Sequence, residues 1–234
     1  MDEISDIDFK GSANNLQEKL VEEDASAGNM WDTAKIIFKK RLFLLTMLTL
    51  CSLYFIITAL QYWISDYMIT VLKVSKAKVF VFFIIISTTA PMAGLLIGGK
   101  FSEYLGGYTG PYALTFSLIS SLIATLCSLP IPFLDNYKIT LVLFWLELFF
   151  GAAMQPTLIG LMISSVPQKV RSLGNAVAQF SFNLLGYLPS PILYGWVTSL
   201  DPHKPSRWGM ILTSFWSLWG LIFLFYAFFK QKQK

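Results

Sequence analysis

Long apolar stretches separated by short turns dominate the chain from residue 42 onward. Each of six stretches is longer than the roughly 18 residues from which a membrane-spanning helix is suspected. They lie at 42–64, 78–99, 111–133, 139–164, 173–199 and 208–229. Because lipid offers no partner to an unpaired backbone group, repeated apolar runs of this length indicate bundled helices. The pattern predicts an all-α membrane protein with six transmembrane helices, which we number span 1 to span 6 in chain order.

Composition agrees with a membrane protein. Of the 234 residues, 55% are hydrophobic, 16% aromatic and only 14% charged, whereas roughly a quarter of the residues in soluble domains are charged. Both cysteines, Cys51 and Cys127, fall inside predicted spans, so we interpret them as packing residues. The sequence therefore predicts no cofactor, no metal site and no nucleic-acid partner.

Charge divides the chain into four predicted segments. The first 30 residues hold eight acidic side chains and two lysines, whereas the other 204 hold 16 basic and six acidic ones. An acidic stretch with Ser, Asn and Gly is typical of a disordered linker, and aromatic residues among cations are typical of a membrane surface. The predicted segments are a disordered acidic cytoplasmic leader at 1–30, an amphipathic juxtamembrane segment at 31–41, a six-helix bundle at 42–229 and a basic cytoplasmic tail at 230–234.

Lys and Arg residues near the span ends predict the orientation. An even number of spans puts both termini on one side of the membrane, and that side carries ten basic residues against six on the other. We therefore expect both termini in the cytoplasm. The first outer loop, with Lys73, Lys76 and Lys78, is basic against this rule. The sequence leaves open whether the membrane is the plasma membrane or an endolysosomal one.

Six spans can form two triplets related by an inverted repeat, as in many transporters. Span 2 carries Pro91 and Gly94, and span 5 carries Gly186, Pro189 and Pro191. Helix interruptions at matching places in the two triplets favour a 3+3 inverted repeat. The alternative is that Pro and Gly are simply commoner in spanning helices than in soluble ones.

Glu147 is the only ionisable side chain well inside a predicted span. It follows the start of span 4 at Ile139 by eight residues, a depth of roughly 12 Å at about 1.5 Å per residue. Burying an acid there costs about 2.5–3.5 kcal/mol on insertion scales, so we expect Glu147 to face the bundle or water. We interpret it as a proton-coupling carboxylate. The alternative is a protonated side chain that hydrogen-bonds a neighbouring helix, or one that reaches the membrane surface.

Spans 1, 4 and 5 carry polar side chains large enough to contact a solute. The candidates for substrate binding are Gln61, Gln155 and Asn183, with Tyr54, Thr58 and Tyr62 secondary. Glu147 and Gln155 are expected on one face of span 4, with Gly151 between them. Span 3 has only small hydroxyl residues, which favour close helix packing, and span 6 has aromatic residues, which suit lipid. Polar stripes on three spans, with one carboxylate, favour a hydrated cavity over hydrogen bonding between helices.

The turn after span 2 reads GGKFSEYLGGY from Gly98 to Tyr108. This resembles the G-x-x-x-D-R-x-G-R-R signature of the major facilitator superfamily, found after the second and eighth helices of those transporters. Gly99, Glu103 and Gly106 match its two glycines and its acid, and we predict that they form a gating loop motif. Tyrosine and glycine replace the arginines, as is more typical of the copy in the second half. The alternative is a glycine-rich tight turn.

Further segments resemble spinster-type transporters of that superfamily. The stretch Ile57–Trp63 (ITALQYW) is similar to their seventh helix, with Ala59 at a usual glycine. The stretches RSLGNA from Arg171 and LGYLPSP from Leu185 are similar to their eleventh helix. The resemblance covers about residues 31–229 and implies helices seven to twelve of a twelve-helix fold. It also implies that spans 1 and 4 line a central cavity.

The resemblance implies a secondary active transporter that works by alternating access. Because such a transporter has two six-helix halves, we expect this chain to be a fragment or a half that pairs with a second six-helix half. An aromatic cavity suits a small amphipathic organic solute, and the spinster resemblance suggests a lysolipid. The competing hypothesis is a non-transporting membrane scaffold or subunit. No Ser/His/Asp grouping, H-E-x-x-H motif or phosphate loop is present in the sequence, so we do not expect an enzyme.

Overall fold

The computed structural model of the protein describes residues 30–108, 110, 112–203 and 205–232, apart from the side chains of 30–34, 231 and 232. The helices are α1 Met30–Lys39, α2 Arg41–Thr70, α3 Lys76–Tyr104, α4 Ala113–Ser128, α5 Tyr137–Ser164, α6 Arg171–Ser181, α7 Pro189–Leu200 and α8 Trp208–Lys232. Short 3₁₀ turns lie at Ile131–Phe133 and Gln168–Val170, and a π-helical segment at Phe182–Tyr187 joins α6 to α7. No strand forms within these ranges, which confirms the all-α prediction.

Five helices in the described part of the chain are long and apolar enough to cross a membrane. They correspond to predicted spans 1, 2, 3, 4 and 6, and lie at Arg41–Thr70, Lys76–Tyr104, Ala113–Phe133, Tyr137–Ser164 and Trp208–Lys230. The third of them consists of α4 together with the 3₁₀ turn that follows it. Predicted span 5 differs because α6 has 11 residues, α7 has 12 residues, and the π-helical segment separates them. The structure therefore supports an integral membrane protein with five candidate spanning helices and one interrupted segment.

Prolines explain the interruption of span 5. Pro189 and Pro191 have no N–H group, so neither can donate to the carbonyl four residues earlier. The N–H of Leu188 donates instead to the carbonyl of Asn183, five residues back, at 3.0 Å, which is the hydrogen bond of a π turn. By contrast, α3 runs through its single proline, Pro91, without a break. The expectation of matching interruptions is therefore wrong for span 2, because one isolated proline is tolerated within a long helix.

The second helix, α2, lies at the centre of the bundle and packs against α5, α7, α8 and the π-helical segment. Two buried apolar clusters follow one another along it. The first contains Leu50 and Leu158, and the second contains Ala59 and Phe144. Because α2 contributes to both clusters, its residues at the boundary between them face several helices at once.

Glycines bring α3 close to α5. A Cβ atom at Gly98 would overlap the backbone of Ala153, and a Cβ atom at Gly94 would overlap the carbonyl oxygen of Phe149. Away from this contact, α3 exposes large apolar side chains, among them Leu96, which suit a lipid environment. The contact at Gly94 and Gly98 therefore attaches α3, which otherwise lies at the periphery of the bundle, to α5.

The two parts of span 5 are attached differently. The Ser190 hydroxyl at the start of α7 donates to the carbonyl of Phe55, and Trp63 Nε1 donates to the carbonyl of Pro191 at 3.2 Å. These bonds attach α7 firmly to α2. The earlier part, α6, exposes Asn175 and Gln179 and packs less extensively against the rest of the bundle.

The predicted terminal segments are described only in part. The predicted leader at 1–30 lies outside the described residues apart from the backbone of Met30. Most of the predicted juxtamembrane segment at 31–41 forms α1, which buries Ile37 completely and exposes Phe38 beside Lys39. Exposed aromatic and basic side chains on one short helix fit a position at the membrane surface. The predicted tail at 230–234 begins within α8, which continues to Lys232.

Candidate functional site

An open groove of about 270 Å³ lies between α2, α3 and α5, and Tyr187 of the π-helical segment completes its wall. Its polar lining residues include Tyr54 and Gln61 on α2, Ser87 on α3 and Gln155 on α5. The remaining lining residues are apolar, so the groove combines hydrogen-bonding groups with a hydrophobic surface. This combination is typical of sites for small organic ligands.

Tyr54 is the organising residue of the groove. Gln155 Nε2 donates to Tyr54 Oη at 2.6 Å, and the Tyr54 ring stacks on Tyr187 with 4.9 Å between ring centroids. The close approach of the π-helical segment depends on Gly186, because a Cβ atom there would lie 3.0 Å from Tyr54 Cβ. Helices α2 and α5 and the π-helical segment therefore hold one another around this tyrosine.

The structure brings together three of the predicted binding residues of spans 1 and 4: Tyr54, Gln61 and Gln155 line the same groove. Gln61 is exposed there, so its amide is available to a ligand. Thr58 does not line the groove, and its hydroxyl donates to the Tyr54 carbonyl of its own helix at 2.8 Å. Tyr62 is 69% exposed and also lies outside the groove.

Asn183 lies beside the groove. It lines a shallow depression of about 350 Å³ together with Phe180, Leu184, Tyr187 and Leu188. Asn183 Nδ2 donates to the carbonyl of Gln179 at 2.8 Å. Tyr187 lines both the depression and the groove, so the two surfaces adjoin at this residue.

Glu147 lies in a different place, inside the bundle. It is 5% exposed and lines a small cavity of about 30 Å³ between α2, α4, α5 and α8. The other polar residues around this space, which we call the Glu147 cavity, all carry hydroxyl groups and are Thr49, Ser52, Ser121, Thr125 and Ser217. Neither carboxylate oxygen of Glu147 has a hydrogen-bond partner among the described residues. The side chain thus faces the bundle, as its cost of exposure to lipid predicts.

Glu147 and Gln155 line separate cavities, so the expectation that they share one face of span 4 is wrong. Eight residues at 3.6 residues per turn rotate Gln155 by about 80° from Glu147 around α5. This rotation is enough to direct them toward different neighbours in a tightly packed bundle. Two apolar residues, Ile57 and Leu148, line both cavities and therefore form the partition between them.

The small hydroxyl residues of span 3 face the interior. Ser117, Ser121, Thr125 and Ser128 are buried on α4, which packs against α5 and α8. This arrangement agrees with the close packing expected for small residues. Sequence reasoning missed that Ser121 and Thr125 also line the Glu147 cavity.

The predicted gating loop motif forms the C-terminal cap of α3. Gly106 has φ +99°, and its N–H donates to the Glu103 carbonyl at 3.1 Å. The N–H of Gly107 donates to the Ser102 carbonyl at 2.9 Å, which completes a Schellman cap. A Cβ atom at Gly99 would meet no neighbour, and Glu103 is exposed. The tight-turn interpretation therefore accounts for Gly106, whereas packing among the described residues does not account for Gly99 or Glu103.

Sequence reasoning left Tyr187 out of the binding residues. A polar series with a step of four, Asn175, Gln179 and Asn183, continues to Tyr187, and this step could have identified it. Ile57 and Leu148 carry no comparable signal, because an apolar residue in an apolar span does not stand out.

The sequence profile of the Major Facilitator Superfamily matches residues 9–191, more than three quarters of the chain. The match begins inside the predicted leader and ends just after the π-helical segment, so it includes every residue of the groove and most of the Glu147 cavity. Among proteins of curated function, none matches the chain significantly. Within the described residues, no cluster of His, Cys, Asp and Glu could hold a metal ion.

Proposed function

We propose that this chain, which belongs to the major facilitator superfamily, forms one half of a secondary active transporter that works by alternating access. It is an integral membrane protein, and the members of its family are transporters rather than enzymes. The observation that carries the proposal is the groove, where the Tyr54–Gln155 pair and the Gln61 amide lie within an apolar bundle. Because polar groups at this depth are costly in lipid, they favour contact with a solute or water.

The proposed partner is a second six-helix half that faces the groove. The support is an exposed surface beside it, formed by Gln61, Tyr62, Gln179 and Asn183. Exposed amides are poorly suited to lipid, so this surface favours a protein or water neighbour. In this arrangement α6, the π-helical segment and α7 together form span 5 of a 3+3 bundle, and both termini lie in the cytoplasm.

The proposed substrate is a small amphipathic organic molecule, and a lysolipid of the kind suggested by the spinster resemblance fits this description. The groove offers aromatic rings at Phe83 and Tyr187 and amide groups at Gln61 and Gln155. None of its lining residues in the described chain is charged. A phosphate group on the substrate would therefore find its cation on the partner half.

Glu147 is the proposed proton-coupling residue. Its carboxylate is buried, no basic residue in the described part of the chain lines its cavity, and the cavity shares two residues with the groove. The neutral acid costs least to bury in such a place. Release and uptake of its proton would then depend on the conformation of the bundle, which is the property required of a coupling residue.

Transport by the chain reconstituted in vesicles with a partner half tests the proposal. We expect a pH gradient to stimulate uptake of a lysolipid by the wild type and not by Glu147→Gln, while Gln155→Leu weakens substrate binding. Leu96→Ala, at an exposed position of α3 outside both cavities, serves as the control and should behave as the wild type. Equal gradient-driven uptake by Glu147→Gln would refute the coupling role.

The scaffold hypothesis makes a different prediction for the same surface. If the polar residues were buried protein contacts, cysteines introduced at Gln61, Gln155 and Asn183 would be protected from a water-soluble thiol reagent. Transport predicts that the reagent labels Gln61→Cys and Asn183→Cys, and that substrate slows the labelling at Gln61→Cys. Replacement of Cys51 and Cys127 beforehand removes background labelling. Protection at all three positions would favour the scaffold.

A further inference from the structure

The size and lining of the Glu147 cavity suit one water molecule. Its volume is about 30 Å³, which exceeds the roughly 10–15 Å³ that a cavity needs to hold a water molecule. A carboxylate and five hydroxyl groups surround it. A buried water needs about two to four polar partners, and this cavity supplies that number.

Among the described residues, no side chain forms a hydrogen bond of ordinary geometry to the oxygen atoms of Glu147, and the Ser128 hydroxyl on α4 is a weaker neighbour of the carboxyl group. The hydroxyl groups of Thr49 and Ser52 donate to the carbonyls of Leu45 and Trp216, at 2.9 and 3.0 Å. The hydroxyl group of Ser217 likewise donates within its own helix. These three oxygens can therefore only accept, and neither Glu147 oxygen has a partner among the described residues. Because buried polar atoms are nearly always hydrogen-bonded, a water that donates to the carbonyl oxygen of the Glu147 carboxyl group resolves the deficit.

Charge in the surroundings favours the protonated acid. Among the described residues, no lysine, arginine or histidine lines the cavity, and Glu147 is its only acidic residue. The titratable side chain recorded as interacting with Glu147 is that of Cys127 on α4, a free thiol. An unpaired buried charge is costly. The proton on Glu147 must therefore enter and leave through the protein rather than pass to an ion-pair partner.

Two apolar side chains separate this cavity from the groove. Ile57 on α2 and Leu148 on α5 line both spaces, and neither can hydrogen-bond a water or carry a proton. We infer that the Glu147 cavity binds one water, and that Ile57 and Leu148 form a gate through which this water exchanges protons with the groove. The inference deepens the proposed coupling role of Glu147 and rests on it for its functional meaning.

Infrared spectroscopy of the full chain in lipid tests both parts. The carbonyl stretch of the protonated acid is assigned to Glu147 by its loss in Glu147→Gln. After transfer into deuterated water, we expect Leu148→Ala and Ile57→Ala to exchange this proton roughly tenfold faster than the wild type, because the barrier at the gate is lowered. Leu146→Ala, on the same helix and outside both cavities, is the matched control and should exchange at the wild-type rate. If the alanine variants fold poorly, Leu148→Val gives a smaller acceleration in the same direction.

The water has its own spectroscopic readout. Gly151 lines the cavity, so Gly151→Ala fills part of its space and should shift the Glu147 carbonyl stretch to the frequency of a non-hydrogen-bonded acid. An unchanged frequency would overturn the water site, and a band that depends on Na⁺ would show that a cation occupies the space instead. Equal exchange rates in Leu148→Ala and Leu146→Ala would overturn the gate. The infrared experiment does not measure transport. If the gate variants exchange the Glu147 proton rapidly while Glu147→Gln keeps normal proton-coupled transport, the proposed function is refuted and the gate is not.

Discussion

Two cavities lie within two turns of each other on α5, and they differ in almost every physical property. The groove has about 270 Å³, and its amide and phenol groups already hydrogen-bond each other through Gln155 and Tyr54. The Glu147 cavity has about 30 Å³, and its carboxylate has no partner among the described residues. A satisfied, accessible polar pair can bind and release a ligand without loss of packing. For an unsatisfied buried acid, by contrast, the protonation state depends on the conformation of the whole bundle.

This difference shows that depth in the membrane is a poor guide to the role of a polar residue. Glu147 and Gln155 both lie well inside α5, yet only Gln155 lines the groove. What separates them is the neighbouring helix that each one faces. The difference can be tested by substitutions that affect one cavity and spare the other.

The largest effect is expected from a substitution that disturbs the packing of α3 and therefore changes only the groove. The groove takes part of its wall from α3, whereas no residue of α3 lines the Glu147 cavity. Gly98→Val would overlap the Ala153 backbone, and overpacking of this kind costs about 1–3 kcal/mol. We expect a lower midpoint of thermal unfolding in detergent and loss of substrate binding, with the Glu147 infrared band retained. Gly99→Val is the matched control, because Gly99 has open space beside it. Equal destabilisation by both variants would contradict the close contact of α3 with α5.

The next largest effect is a change in stability, with opposite signs for a leucine substitution in each of the two cavities. Glu147→Leu removes a buried polar group without a hydrogen-bond partner among the described residues, and because such a group carries a desolvation cost of about 1–3 kcal/mol, we expect the fold to be stabilised by about 1 kcal/mol. Gln155→Leu removes the hydrogen bond to Tyr54 and should destabilise by about 0.6 kcal/mol, the average for such bonds in membranes. Unfolding midpoints of both variants against the wild type would measure this. A loss of stability in Glu147→Leu would show that the carboxyl group has a partner in the fold.

A smaller effect is expected at Tyr54. Tyr54→Phe keeps the ring that stacks on Tyr187 but removes the oxygen that accepts from Gln155. We expect a loss of about 0.6 kcal/mol in stability and weaker substrate binding, measured by thermal unfolding and by ligand titration. Tyr62→Phe, at an exposed position outside the groove, should change neither. Equal stability and equal substrate binding in the two variants would show that the Tyr54 hydroxyl does not contribute to the groove.

The smallest effect belongs to the exposed surface of α6. Gln179→Ala should leave stability within about 0.5 kcal/mol of the wild type, as is usual for surface changes. Its side chain is exposed, so we expect it to affect only association with the partner half. Co-purification with that half would measure the change. A clear fall in the unfolding midpoint of the isolated chain would instead place Gln179 in an internal contact.

Much of the helical framework could be predicted from apolar run length. Spans 1 to 4 and 6 appear as long helices, although α2 continues to Thr70, six residues beyond the predicted end at Ile64. Its apolar run ends at polar residues such as Asp66, which are tolerated in a helix that extends past the lipid. Span 5 could not be predicted in detail, because its prolines indicate an irregularity without specifying its form.

The candidate site was predicted less completely. Tyr54, Gln61 and Gln155 were recognisable as large polar side chains in apolar surroundings, and the structure places them in one groove. Thr58 and Tyr62 share their span but turn away from it. Helical spacing defines angles within one helix only. It does not show which neighbour lies at each angle.

The sequence by itself determined that the chain is a helical membrane protein, which residues are polar within it, and that Glu147 must be sheltered from lipid. These conclusions depend on the cost of polar groups in hydrocarbon, which acts on each segment independently. Only the tertiary structure decided that Gln155 faces the groove, that Glu147 faces the hydroxyl groups of α4 and α8, and that Ile57 and Leu148 stand between them. The physical reason is that helical spacing gives only the rotation of about 80° between Glu147 and Gln155 along α5. The positions of the surrounding helices decide which neighbours each side chain contacts.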